Sequence, residues 1–190
     1  MLFRSEIAYN PDSDGDAEFV ELVNISGGSI TLYDSAKSAP WRFVDDWEEA
    51  TPGLEYFFPA PPSAITLADG EYFLLIKDKA AFESVFLGGG DISTLGVPWA
   101  EWGGGSLNNG GESPELQKPG DPGYYIRVDR VKYSDGSHPV GDDPWPTEPD
   151  DSDVYTLQRR IATEYGNDVI NWDWPDPYPY STPGATSPTP

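Results

Sequence analysis

Apolar and polar residues alternate with a period of two over much of this chain, and the alternation begins at once. Two strand-like runs, Phe3–Tyr9 and Glu18–Asn24, flank the acidic loop Asn10–Ala17. In the second run Val20 and Leu22 share one face and Glu21 points to the other, which predicts a half-buried antiparallel strand. Ser29–Tyr33 predicts a third strand, entered through Gly27-Gly28, and Trp41–Val44 a short fourth. Glu55–Phe58 runs into Pro59-Ala60-Pro61-Pro62, whose prolines cannot donate to a ladder and so mark loop or sheet edge. Glu71–Lys77 is almost continuously apolar, the pattern of a central strand covered on both faces.

The period then changes. Phe82, Val85 and Phe86 fall on one helical face, Asp78 is placed to cap the first turn, and Gly88 can close the last in a left-handed conformation. The spacing predicts one short helix over 79–86. Gly88–Gly90 releases a long irregular stretch ending in Gly103–Glu112. Glu115–Gln117 and Tyr124–Tyr133 predict a hairpin. Its apolar phase slips from Ile126 and Val128 to Val131 and Tyr133, as a bulge near Asp129-Arg130 would produce. Val154–Arg159 reads as the last strand. Residues 181–190 hold Ser, Thr, Pro, Gly and Ala with no apolar anchor, so they read as a linker or tail behind a single domain over 1–180.

Composition sharpens this picture. At 190 residues the chain can bury its own core, and 20 Gly with 20 Pro break up long helices, so the class is all-β with long loops. Hydrophobic content is only 37%, but 7 Trp, 11 Tyr and 8 Phe each bury a large area. The net charge of −22 repels phosphate backbones, and the 11 basic residues form no clustered face, which argues against nucleic-acid binding. No apolar run reaches the roughly 18 residues of a membrane span. The absence of cysteine excludes disulfides, thiolate metal sites and thiol catalysis.

Several spaced motifs together resemble the bacterial lamin-tail domain family: Ser5-Glu6-Ile7, Glu18–Asn24, Leu32 with Trp41-Arg42-Phe43, Glu71–Ile76, Ser106–Glu112, Asp129–Tyr133, Trp145-Pro146, Thr156–Arg159, Asn171-Trp172 and Thr182–Gly184. Their order over roughly residues 3–175 carries the likeness. The acidic insertion Asp45–Glu49 and the triple-glycine loops depart from a minimal member. The resemblance implies an immunoglobulin-like β-sandwich that serves as an accessory module of an exported or cell-surface bacterial protein, covalently joined to neighbouring domains. Its ligand would be a protein or a glycan.

Three groups of residues carry candidate chemistry. Asn10, Asp12, Asp14, Gly15, Asp16 and Glu21 reproduce the spacing of a calcium loop, with oxygen donors at alternate positions, then glycine, then glutamate. The competing reading is a solvated acidic turn whose Asp and Asn bond their own backbone. A second acidic run, Asp142–Asp153, lacks regular spacing and reads as a solvated loop. Trp102, Trp172 and Trp174, with other loop tryptophans, could stack on sugar faces as in a carbohydrate-binding module, or could close the ends of the sandwich. Enzymatic function has little support. Glu6, Glu18 and Glu21 read as surface strand carboxylates, and the single histidine, His138, lies in a turn with no G-x-S-x-G nucleophile motif. The expectation is therefore a non-enzymatic binding or scaffolding module, with calcium as a possible ligand and a carbohydrate-binding module as the alternative.

Overall fold

The computed structural model describes residues 2–11, 13–45, 53–137, 142–150, 152–153, 155–160, 164–174 and 183–184. Asp12, Asp46–Glu49, His138, Asp151 and most of the tail lie outside them. In chain order the main elements are β1 (Leu2–Ala8), β2 (Phe19–Asn24), β3 (Arg42–Val44), β4 (Glu55–Phe57), β5 (Tyr72–Ile76), α1 (Lys79–Phe86), β6 (Trp99–Glu101), β7 (Glu115–Pro119), β8 (Tyr125–Arg130), β9 (Leu157–Arg159) and β10 (Trp172–Asp173). They form a six-stranded sheet, β6-β5-β2-β1-β9-β10, and a four-stranded sheet, β8-β7-β3-β4. Only the β5–β6 pairing is parallel within these two sheets. Among the described residues no helix is long and apolar enough to cross a membrane.

The main core lies between the sheets. Ile7, Val20, Leu22, Phe73, Leu75 and Leu157 face inward from one, Phe43 and Leu116 from the other, and all are fully buried. The opposite face of the six-stranded sheet has its own apolar patch, in which Ala8, Phe19, Leu74 and Ile76 pack beneath Phe82 of α1 and Ile92. Phe19 meets Phe82 and Phe86 edge-on at 5.4 and 5.0 Å. This helix is held by what the pattern predicts: Asp78 accepts from the Ala81 N–H at 2.8 Å, and Gly88 follows at φ +59°. The chain is thus an all-β sandwich with one short helix among its described residues.

Two covered faces correct one expectation. β2 is not half-buried; every residue from Phe19 to Asn24 is buried. β5 is covered on both faces as its apolar run predicts. The expected third strand splits into two-residue ladders, Ile30–Thr31 with Thr66–Leu67 and Tyr33–Asp34 with Ala39–Pro40. The phase slip in β8 is a register shift between Leu116 and Gln117 that leaves Val128 unpaired, one residue before the expected site. Among the described residues of the last predicted strand, which leave out Val154, Leu157–Arg159 pairs, and beyond it β10 adds an unforeseen edge.

Candidate functional site

Three loops meet at one end of the sandwich, and Asn10 joins them. Its side-chain amide donates to Asp150 Oδ1 at 2.6 Å, its carbonyl accepts from the Ser152 N–H at 3.1 Å, and its Oδ1 accepts from Asn109 Nδ2 at 2.7 Å. Ser13 N–H adds a 3.0 Å bond to Asp153. The two acidic loops, far apart in sequence, are therefore one surface, completed by the Ser106–Glu112 loop. Two cavities flank that loop. One, of about 350 Å³, is lined by Asn10, Asp14, Gly15, Asp16, Glu18, Lys77, Ser106 and Asn109. The other, of about 490 Å³, is lined by Asp45, Gly53, Ser106, Leu107, Asn108, Asn109 and Glu112.

The walls are built tightly. Gly105 sits at φ +80°, and a Cβ there would fall 1.9 Å from the Gly53 carbonyl oxygen, so both its conformation and its crossing require glycine. Glu112 and Asp45 are 6% and 3% exposed, fixed respectively by the Tyr133 hydroxyl and the Leu54 N–H. Glu18, at the start of β2, accepts from the Leu107 N–H at 2.6 Å and from Lys77 at 3.1 Å. Burial pushes its carboxyl up to about 7 despite the Leu107 N–H and Lys77, which pull the other way. Lys77 itself reaches Gly15 O, Asp16 Oδ1, Glu18 Oε1 and Ser106 Oγ at 3.0, 3.0, 3.1 and 2.7 Å. Burial alone would lower its pKa, but bonds to Asp16 and Glu18 more than offset this and hold it above the usual value.

The other members of the calcium-like pattern lie as follows. Asp14 caps a short 3-10 turn by accepting from the Asp16 N–H at 3.0 Å. Glu21 stands on the helix-covered face, directly opposite Glu6 across β1–β2, and both are fully buried. Glu21 accepts from Ser5 Oγ and the Gly184 N–H, each at 2.5 Å, while Thr156 and Gln158 donate to Glu6 at 2.6 and 3.4 Å. Burial first, and the Glu6 charge second, push Glu21 up to about 9. Among the described residues, no group of three His, Asp or Glu is placed to hold a metal. Reading Glu6, Glu18 and Glu21 as surface carboxylates is therefore wrong: all three are buried, because a second layer covers the face that alternation assigns to solvent.

The tryptophans are drawn inward. Trp102 and Trp172 are 8% and 4% exposed and belong to the main core, whereas Trp174 is half-buried. Trp172 donates its indole N–H to the Gly166 carbonyl at 2.7 Å and lies 6.3 Å from Trp145. Nearby, Arg159 is buried against Asp129 at 3.6 Å with Gly166 packed on both, which ties three of the spaced motifs into one plug.

Fold and site define a class, a β-sandwich domain with a polar, acidic loop end. No family model and no curated protein matches the chain. A solved structure of a DUF4876 family protein from Bacteroides thetaiotaomicron is similar in fold, with a TM-score of 0.52 at 14% identity over 90% of this chain. This chain spans 65% of the length of that one.

Proposed function

We propose that the domain is a non-enzymatic binding or scaffolding module of the lamin-tail, immunoglobulin-like kind, carried by a larger exported bacterial protein, and that it takes its partner at the loop end. One observation carries this reading: three loops, joined through Asn10, frame two open polar cavities on a rigid two-sheet scaffold. Loops held on such a scaffold are where sandwich domains place recognition. The buried carboxylates Asp45 and Glu112, with exposed Asp14 and Asp16, set the chemistry of the partner. Lys77 is already enclosed by four oxygens, so the cavities offer negative charge and amide groups to a protein segment bearing lysine or arginine. The carbohydrate alternative gains nothing from Trp102 and Trp172, whose rings lie in the core.

An amide NMR titration separates the two readings. A tetralysine peptide is expected to shift resonances of Asp14–Glu18 and Ser106–Glu112, and the Asp16→Asn chain is expected to respond less. Shifts produced by neutral oligosaccharides around Trp174, with none at the loop end, would reverse the order of the two readings.

A further inference from the structure

The four-stranded sheet offers a second surface, independent of the loop end. Helix α1 covers the six-stranded sheet, but among the described residues no helix lies on the outward face of β8-β7-β3-β4. Five large apolar side chains are left exposed among the described residues, and three belong to this sheet or its turn: Phe57, Tyr124 and Ile126, at 47%, 74% and 48%.

Among the described residues the edge is open, and β8 pairs with β7 alone. Gly120 N–H donates to the Tyr124 carbonyl at 2.9 Å, and antiparallel alternation from that bond turns the N–H and C=O of Tyr125 and Arg127 away from β7. Pro119, opposite Tyr125, fits this register because it has no N–H to give.

Charge runs against the rest of the molecule here. Arg42 pairs with Glu55 at 2.6 Å, while Arg127 and Arg130 share the buried Glu115 at 2.5 and 3.7 Å. Three guanidiniums thus face two carboxylates in a chain of net charge −22, with Asp121 exposed in the adjoining turn and Asp129 of β8 turned to Arg159. Lys118 and Ile126 pair on the other face of this hairpin, the side of Leu116, and are exposed at its end. Cations beside an open edge repel basic strands and admit acidic ones.

We propose that the Tyr125–Arg127 edge docks an extended acidic peptide, which adds a strand beside β8 and sets its carboxylates against Arg127 and Arg130. The outward backbone groups select a peptide over a glycan, because only a strand satisfies them in sequence.

Fluorescence anisotropy with a labelled octapeptide of alternating Glu and Tyr tests this. Saturable binding is expected, weakened at least about tenfold by Arg127→Ala, as truncating a charged contact costs roughly that much or more. Arg127→Pro removes the outward N–H as well, at a position that spends none on β7, and is expected to weaken binding further. Thermal melts of both variants verify the fold. Asp16→Asn, at the loop end, is expected to leave this binding unchanged. No saturable binding overturns the proposal, as does equal affinity of the two Arg127 variants, or binding of polygalacturonate in place of the peptide.

Discussion

Glu18, just ahead of β2, and Glu21, within it, lie three residues apart, both buried, and they do opposite things. Glu18 looks into the loop end, where Lys77 and the Leu107 N–H hold its charge, and its carboxyl titrates at about 7. Glu21 looks into the helix-covered face, where it meets Glu6, and titrates at about 9. Burial raises both; the neighbour decides by how much. A carboxylate with a lysine can work as a charge near neutrality, whereas one that faces a second carboxylate keeps its proton. The start of β2 therefore separates a carboxylate whose charge is supported at the loop end from one that keeps its proton beneath the second layer.

The largest expected effect follows from those two protons. Both groups sit above the ordinary 4.5 in the folded chain, so the folded state binds more protons than the unfolded state from there up to about 7 and about 9. The stability they confer is complete below about pH 4.5 and falls as pH rises through those values, by about 1.4 kcal/mol per pH unit for each retained proton. Urea unfolding at pH 5, 7 and 9 is expected to show a decline about twice as steep from pH 5 to 7, where both groups retain protons, as from 7 to 9, where Glu21 alone does. Glu21→Gln, which cannot ionise, is expected to flatten the part above pH 7; an unchanged slope would mean that Glu21 is not its source.

A third buried carboxylate sharpens the contrast. Asp129 is paired with Arg159, which is itself held below its usual pKa by burial. Asp129→Ala takes the carboxylate from that guanidinium, which keeps its bond to the Glu164 carbonyl, and is expected to cost about 3 kcal/mol in denaturant unfolding. A cost no greater than that of a surface change would place water, not Asp129, around Arg159.

Lys77→Met tests the other side. At pH 8.5, where Glu18 is ionised, loss of the ammonium is expected to cost about 1.5–3 kcal/mol, and at pH 5.5 much less. Equal loss at both would show that Lys77 acts through Gly15, Asp16 and Ser106 or through packing of its stem, and not through the charge of Glu18. Calcium gives the smallest effect. Because an ammonium already occupies the oxygens of Gly15, Asp16, Glu18 and Ser106, millimolar calcium is expected to leave the wild-type melting temperature within the scatter of repeat scans. A clear rise would give the ion to another set of donors, with Asp12 among the candidates.

Much of the scaffold is legible in the sequence because its signals are local. The helix shows its cap at Asp78, its apolar face and its closing glycine within eleven residues, and all three stand in the structure. The apolar run of β5 marks a strand buried on both faces, and the slipped phase of β8 marks a bulge. Edge strands β6 and β10 are only three and two residues long, and pairing with their neighbours, not propensity, makes them strands. The site is less legible. Period-two reasoning puts Glu6 and Glu21 opposite a core face, but it has no way to know that helix α1 and Gly184 close over their side. It finds each acidic loop and misses their union, because the Asn10–Asp150 bond spans 140 positions. The tryptophans fall outside predicted strands, and nothing local tells a ring that caps the core from one offered to a ligand.

A carbon-detected NMR titration of glutamate side-chain carboxyls, in wild type and in Lys77→Met, tests the division of labour along β2 most directly. Glu21 is expected to titrate near pH 9 in both chains. Glu18 is expected near pH 7 in the wild type and higher once the lysine is gone, because the desolvated carboxylate then loses its cation. Both groups titrating at ordinary carboxylate values, or moving together when Lys77 is removed, would contradict it.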